Sequence, residues 1–258
     1  MAQIGTNGSG DDQFAYPRGI CTDGVCLYIT DSSNNRIVKR LCSNLSYVAK
    51  IGSQGSGDDQ FVNPRGICTD GTYLYIADYQ NHRIVKRLCS DLSYVAKIGS
   101  QGSGDDQFFL PSGICTDGTY LYVSDTSNSR IVKRLCSNLS YVSQIGTNGS
   151  GDDQFDVPLR LSTADGYLYI ADEENNRVKK HLCSDLSYIA KIGSLGTGND
   201  EFHFTVDVAT DGSYIYVCDS ENHRIVKRLC SDLSYINKIG SQGSGNNQFY
   251  RPGGACVI

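Results

Sequence analysis

Apolar and polar residues in this chain alternate in short runs separated by turn formers. In the second of several recurring segments the runs are RGICTD (65–70), YLYIAD (73–78), RIVKRL (83–88) and YVAKIG (94–99). They are rich in β-branched and aromatic residues and bounded by Gly, Asp and Ser, so they read as strands and are too short for helices. Asp70-Gly71 between the first two runs marks a hairpin, because both residue types accept positive φ. A turn containing Asn81 leads into the third run, CSDLS links the third to the fourth, and SQGSGDDQFVNP returns the chain to the next inner strand. YLYIA is apolar on both alternating faces, which predicts a sheet covered on both sides.

The pattern repeats. Ile-Gly stands at 4, 51, 98, 145, 192 and 239, always 47 residues apart, without insertion or deletion. Five complete units span 4–238 and a truncated sixth copy spans 239–258. A period of this length signals an array or a propeller. Four strands per unit with no helix predict propeller blades, in preference to a β-helix with its shorter rungs. The whole chain, 1–258, is expected to be a single all-β domain.

The assembled residues resemble the NHL-repeat family of β-propellers along essentially the whole chain. The likeness rests on the loop GSGDDQF, on P-R-G-I opening the inner strand, on LYIAD for the second strand and on D-x-x-N-H-R-I for the turn into the third. It implies four-stranded antiparallel blades around a central channel, commonly six of them. This chain carries six inner-strand and six outer-strand copies but five of the two middle strands. A six-blade geometry with one incomplete blade is therefore favoured, with a five-bladed ring as the alternative. An incomplete blade would leave strand edges open to self-association.

The formal net charge of −5 gives no global attraction to nucleic acid or to an anionic membrane. No apolar run approaches a spanning helix, and MAQIGTNGSGDD lacks the features of a signal peptide. The eleven cysteines follow the repeat and form no CxxC pair: Cys42, Cys89, Cys136, Cys183 and Cys230 share one position, and Cys21, Cys68, Cys115 and Cys256 another. They read as small, reduced, apolar side chains. Together these features predict a cytoplasmic protein without cofactor or metal.

The most repeated polar motif pairs an Asp ending the second strand with an Arg opening the third: Asp31 with Arg36, Asp78 with Arg83, Asp125 with Arg130, Asp172 with Arg177 and Asp219 with Arg224. Identity in every copy suits a structural joint, and Asn81 is expected to bond the turn backbone. His82 and His223 occur in only two of these turns and read as surface residues. GSGDDQF lacks the phosphate-loop and calcium-loop patterns; its glycines suit a tight crossing, with Phe61 and its counterparts as plugs beneath.

Differences among the copies cluster before and at the start of the inner strand and in the turn after the second strand. Both segments are expected on one rim at the channel mouth. Candidate binding residues there are Tyr16, Arg18, Asn63, Arg65, Leu110, Ser112, Arg160, His203, Asp207 and Arg251, with Tyr79, His82, Glu173, Glu174 and His223 in the turns. The Asp pairs of the loops place acid on this rim, which disfavours the RNA binding known for some NHL domains, and the Lys-Arg pairs of the third strand form an outer basic stripe. The function expected is a non-catalytic scaffold binding a protein or peptide at the rim. A self-assembling, designed or recently duplicated repeat is the alternative. A propeller lyase or lactonase using His203, Asp156 and Asp207 ranks lower.

Overall fold

Residues 4–255 are described in a computed structural model of the chain; Cys256 and the rest of the sixth inner-strand copy beyond Ala255 lie outside the described residues. Each complete repeat folds as its own four-stranded sheet. The first contains β3 (Pro17–Thr22), β4 (Cys26–Asp31), β5 (Arg36–Leu41) and β6 (Tyr47–Ile51), after the paired β1 (Thr6–Asn7) and β2 (Gln13–Phe14). The second contains β7 (Pro64–Thr69), β8 (Tyr73–Asp78), β9 (Arg83–Leu88) and β10 (Tyr94–Ile98). The third follows as β11 (Pro111–Thr116), β12 (Tyr120–Asp125), β13 (Arg130–Leu135) and β14 (Tyr141–Ile145). The fourth is β15 (Pro158–Ala164), β16 (Tyr167–Asp172), β17 (Arg177–Leu182) and β18 (Tyr188–Ile192), and the fifth β19 (Thr205–Thr210), β20 (Tyr214–Asp219), β21 (Arg224–Leu229) and β22 (Tyr235–Ile239).

The fold is a β-propeller with five four-stranded blades, the alternative named above. The favoured sixth blade is not seen: among the described residues, 251–255 form no strand. The hairpin turns also refine the expectation. In the hairpin turn of the second blade Gly71 alone takes positive φ, at 90°, while Asp70 keeps ordinary backbone and caps the turn by accepting from Thr72 N and Tyr73 N at 2.9 and 2.7 Å. In the fourth blade Asp165 and Gly166 are both left-handed, at 50° and 79°.

The described residues fall into two compact units, those of Met1–Val123 with Arg134–Tyr141 and those of Ser124–Lys133 with Val142–Val257. In the first, Tyr28, Ile37, Phe61, Ile67, Leu74 and Val85 belong to one apolar core. In the second, Tyr169, Val178, Phe202, Val208, Val217 and Val226 do the same. Phe61, Phe108, Phe155 and Phe202 are fully buried, as plugs should be.

Polar joints tie neighbouring blades inside each unit. Lys39 Nζ donates to the carbonyls of Cys89 and Ser90 in the next blade at 2.7 and 2.8 Å, and Lys86, Lys133 and Lys180 repeat the contact on the following Cys-Ser links. Tyr28 Oη, Tyr75 Oη and Tyr169 Oη donate to the same Cys carbonyls at 3.1, 3.2 and 3.0 Å. The outer basic stripe is thus corrected: Lys39, Lys86, Lys133 and Lys180, with Arg40, Arg87, Arg134 and Arg228, are buried, because each cation finds carbonyls that offset its desolvation, while Lys227 is half-buried.

Candidate interaction rim

Every Asp–Arg pair of the repeated turn forms. Arg36 Nε lies 2.7 Å from Asp31 Oδ2, with matching pairs at Asp78–Arg83, Asp125–Arg130 and Asp172–Arg177 and a 2.5 Å pair at Asp219–Arg224. All five carboxylates are fully buried. Burial pushes the Asp78 carboxyl up, opposed by bonds from Asn81, Val62 N and Arg83. Asn81 does more than cap its own turn: its Nδ2 donates to Asp78 Oδ2 and to Gly55 O, both at 2.8 Å, so the turn also holds the loop before the inner strand.

The two variable segments meet backbone to backbone in four of the five blades. Ser33 N donates to Ala15 O at 3.0 Å, Gln80 N to Val62 O at 3.1 Å, Glu173 N to Val157 O at 3.3 Å and Ser220 N to Phe204 O at 3.1 Å. At the tip, Tyr16, Asn63, Leu110, Val157, Phe204 and Arg251 all take left-handed φ between 50° and 57°. Four of these strained residues are held from the preceding turn. Asn35 Oδ1, His82 Nδ1, Asn176 Oδ1 and His223 Nδ1 accept from the amides of Asn63, Leu110, Phe204 and Arg251 at 2.9, 3.1, 2.8 and 3.2 Å. This corrects the reading of His82 and His223 as surface residues: each is a latch between consecutive segments, half-buried, and the left-handed backbone at 55° aims the ring at the next tip.

Side chains on the tips pair locally. The Arg65 guanidinium stacks 3.4 Å from the Tyr79 ring, His82 packs on Phe109, His203 on Phe204 and His223 on Tyr250. Arg251 Nη2 reaches Glu221 at 3.0 Å. Tyr16 and Arg18 are exposed, Glu174 is exposed beside half-buried Glu173, and Ser112 is buried. Asp207 is buried too, which removes it from an open rim: it accepts from Val208 N and Ala255 N, both at 2.8 Å. Burial pushes its carboxyl up, and neighbouring Arg160 opposes the shift. Arg160 and Asp207 fill a position that is Gly in the first blades, where a Cβ on Gly66 would collide with the Ser112 carbonyl of the adjoining inner strand.

The expectation of an acidic rim is corrected for most of the loop acids. Asp12, Asp59, Asp106 and Asp200 pair with Arg40, Arg87, Arg134 and Arg228, and Asp11, Asp58 and Asp152 with Lys50, Lys97 and Lys191 at 2.8 Å. The loop runs along the third and fourth strands, so its carboxylates face cations of their own blade. Cys42, Cys68, Cys89, Cys136, Cys218 and Cys230 carry free thiols, and burial pushes the Cys68, Cys89, Cys136 and Cys218 thiols up. No helix among the described residues is long and apolar enough to cross a membrane.

A family model, the LVIVD repeat, matches residues 205–241. No curated protein matches the chain. Solved structures do. A chain of a nidogen/laminin complex is 18% identical, with a TM-score of 0.68 over 86% of this chain and 79% of that one. A streptogramin B lyase is 13% identical, with 0.61 over 86% and 67%. A glutaminyl cyclase from Myxococcus xanthus is 13% identical, with 0.53 over 79% and 85%. At these identities the likeness is one of fold: this is a β-propeller repeat chain. A lyase, a cyclase and a chain of a nidogen/laminin complex all occur among its structural neighbours, so fold alone decides no activity.

Proposed function

We propose that the chain is an NHL-type propeller scaffold that performs no catalysis and captures a protein or peptide on its variable tips. One observation carries the reading. In four of the five blades the two segments that differ between copies are joined by backbone hydrogen bonds, which supports a reading in which the variation of a blade is gathered at one tip of an otherwise repeated scaffold. The exposed residues on that edge, Tyr16, Arg18, Phe109, Tyr250 and Arg251 among them, are of the aromatic and arginine types that anchor interfaces. Catalysis is disfavoured because Asp207 is engaged by two backbone amides and His203 is packed on Phe204.

The test replaces Arg18, Arg65 and Arg251 together by Ala. The expected outcome is loss of captured partner in pull-downs with an unchanged melting temperature. Capture equal to that of the wild type overturns the reading.

A further inference from the structure

In four copies the loop before the inner strand is a cradle for a guanidinium. Arg36 donates to the carbonyls of Ser9, Gly10 and Gln13 at 2.6, 2.8 and 2.9 Å, and Asn34 donates to Gly8 O at 2.8 Å. Arg83 repeats this on Ser56, Gly57 and Gln60 at 2.5, 2.9 and 2.7 Å. Arg177 and Arg224 do so on the loops of the fourth and fifth copies.

The sixth loop has the same build. Gly243 N donates to Phe249 O at 3.1 Å, Gln248 N to Gly245 O at 3.0 Å and Gly245 N to Gln248 Oε1 at 3.0 Å, and Gln242 bridges Phe249 as Gln54 bridges Phe61. Gly243 takes φ 153° where Gly55 takes 151°. Yet among the described residues no arginine reaches the carbonyls of Ser244, Gly245 or Gln248. Gln248 is exposed where Gln60 is half-buried, and Phe249 is half-buried where Phe61 is fully buried. The cradle keeps its shape without its cation.

The face of the fifth blade is open in the same sense. Tyr216 and Lys227 occupy the positions of Tyr75 and Lys86 and keep their contacts within the blade: Tyr216 Oη donates to Asp211 at 2.8 Å as Tyr75 does to Asp70 at 2.7 Å, and Lys227 rests 3.7 Å from the Tyr214 ring as Lys86 rests 3.8 Å from that of Tyr73. Neither meets a Cys-Ser link among the described residues. Both are half-buried, whereas Tyr75 and Lys86 are buried. A carbonyl cradle and a Lys-Tyr donor pair are the two fixtures that each internal joint uses.

We propose that the sixth loop and the open face of the fifth blade form a receptor for a strand hairpin carrying D-x-x-N-x-R and the following Cys-Ser link. Its arginine fills the carbonyls of Ser244, Gly245 and Gln248, its Asn bonds Gly243 O, and its Cys-Ser carbonyls take Lys227 and Tyr216. The occupant follows from continuity: the same atoms bind this segment at the chain's own joints. Arg is required because one guanidinium spans three carbonyls and its own Asp at once; in the fourth copy the Lys179 ammonium joins Arg177 on Gly151 O and Gln154 O without replacing it.

Two measurements test it. A synthetic peptide of residues 73–92, titrated calorimetrically into the full chain, binds saturably; Arg83→Lys in the peptide weakens binding at least about ten-fold, as does Lys227→Met with Tyr216→Phe in the receptor. Appending residues 71–97 after Ile258, which continues the 47-residue register, raises the melting temperature, and Arg83→Lys in the appended segment removes most of the gain. No peptide binding together with no thermal gain, or equal effects from the Arg and Lys versions, overturns the proposal. The rim variant Arg18→Ala/Arg65→Ala/Arg251→Ala binds the peptide like the wild type, so failure here and failure of rim capture are separate results.

Discussion

The same pair of residue types carries different weight at different depths. Asp78 is fully buried against Arg83, while Asp58 is mostly exposed beside Lys97. Removing a buried partner strands an unpaired cation, so Asp78→Ala is expected to cost about 3–5 kcal/mol in urea melts. Asp58→Ala is expected to leave the midpoint almost unmoved, because water solvates Lys97 without it. The latch residues allow a finer contrast. His82→Ala should lose about 1 kcal/mol, and His82→Asn should restore it, since Asn35 and Asn176 perform the same acceptance in their turns. Equal melts for all three proteins would refute the latch. The five Asp–Arg joints were legible in the sequence from repetition alone. The latch was not, because its residues vary and its partner lies 28 positions away.

At the scale of the strand, the fourth blade departs from its sisters. β17 reads RVKKHL where the others read RIVKRL, so Lys179 replaces a core Val and His181 replaces a buried Arg. Lys179 is fully buried and donates to the carbonyls of Gly151, Asp152 and Gln154, and His181 bonds Leu186 O at 2.9 Å. The cation has moved two residues along the strand and still serves the same loop. Burial holds the Lys179 ammonium at about 8, well below 10.5. Between those values the unfolded chain keeps the proton that the folded chain has lost, so stability attributable to Lys179 rises with pH across that window. The stability difference between wild type and Lys179→Met should therefore shift in favour of the wild type by roughly 2 kcal/mol from pH 7.5 to 10.5. A flat difference would mean that the ammonium is not desolvated. Repetition made the departure visible in the sequence, but only packing against Phe155, with Nζ 4.3 Å from the ring, gives it a physical meaning.

At the scale of the molecule, the interior blades and the terminal ones differ in cover. Ile20 of the first inner strand is 42% exposed, while Ile67, Ile114, Leu161 and Val208 at the same position are buried. Ile239, the last residue of β22, is 47% exposed where its counterparts are half-buried. Hydrogen exchange should accordingly run faster in β3 and β22 than in β7 and β10, since local opening follows missing apolar cover. Uniform protection across the five blades would contradict it. Peptide titration and the rim variant probe the same architecture from its open face and from its tips.

The sequence by itself determined the period, the four strands in each unit, the buried aromatic plugs and the Asp–Arg joints, because every copy must solve the same packing problem and its solution is written repeatedly. It left the number of blades open between five and six, since both counts satisfy the same local pattern. Tertiary structure decided that Lys39, Lys86 and Lys133 and their Arg neighbours lie buried, that most loop carboxylates are paired within their own blade, that Asp207 is covered by the chain near Ala255, and that the sixth loop keeps a cradle that no arginine among the described residues fills. Those outcomes depend on groups brought together from distant positions, and burial and charge pairing between them are properties of the fold and not of any one stretch of chain.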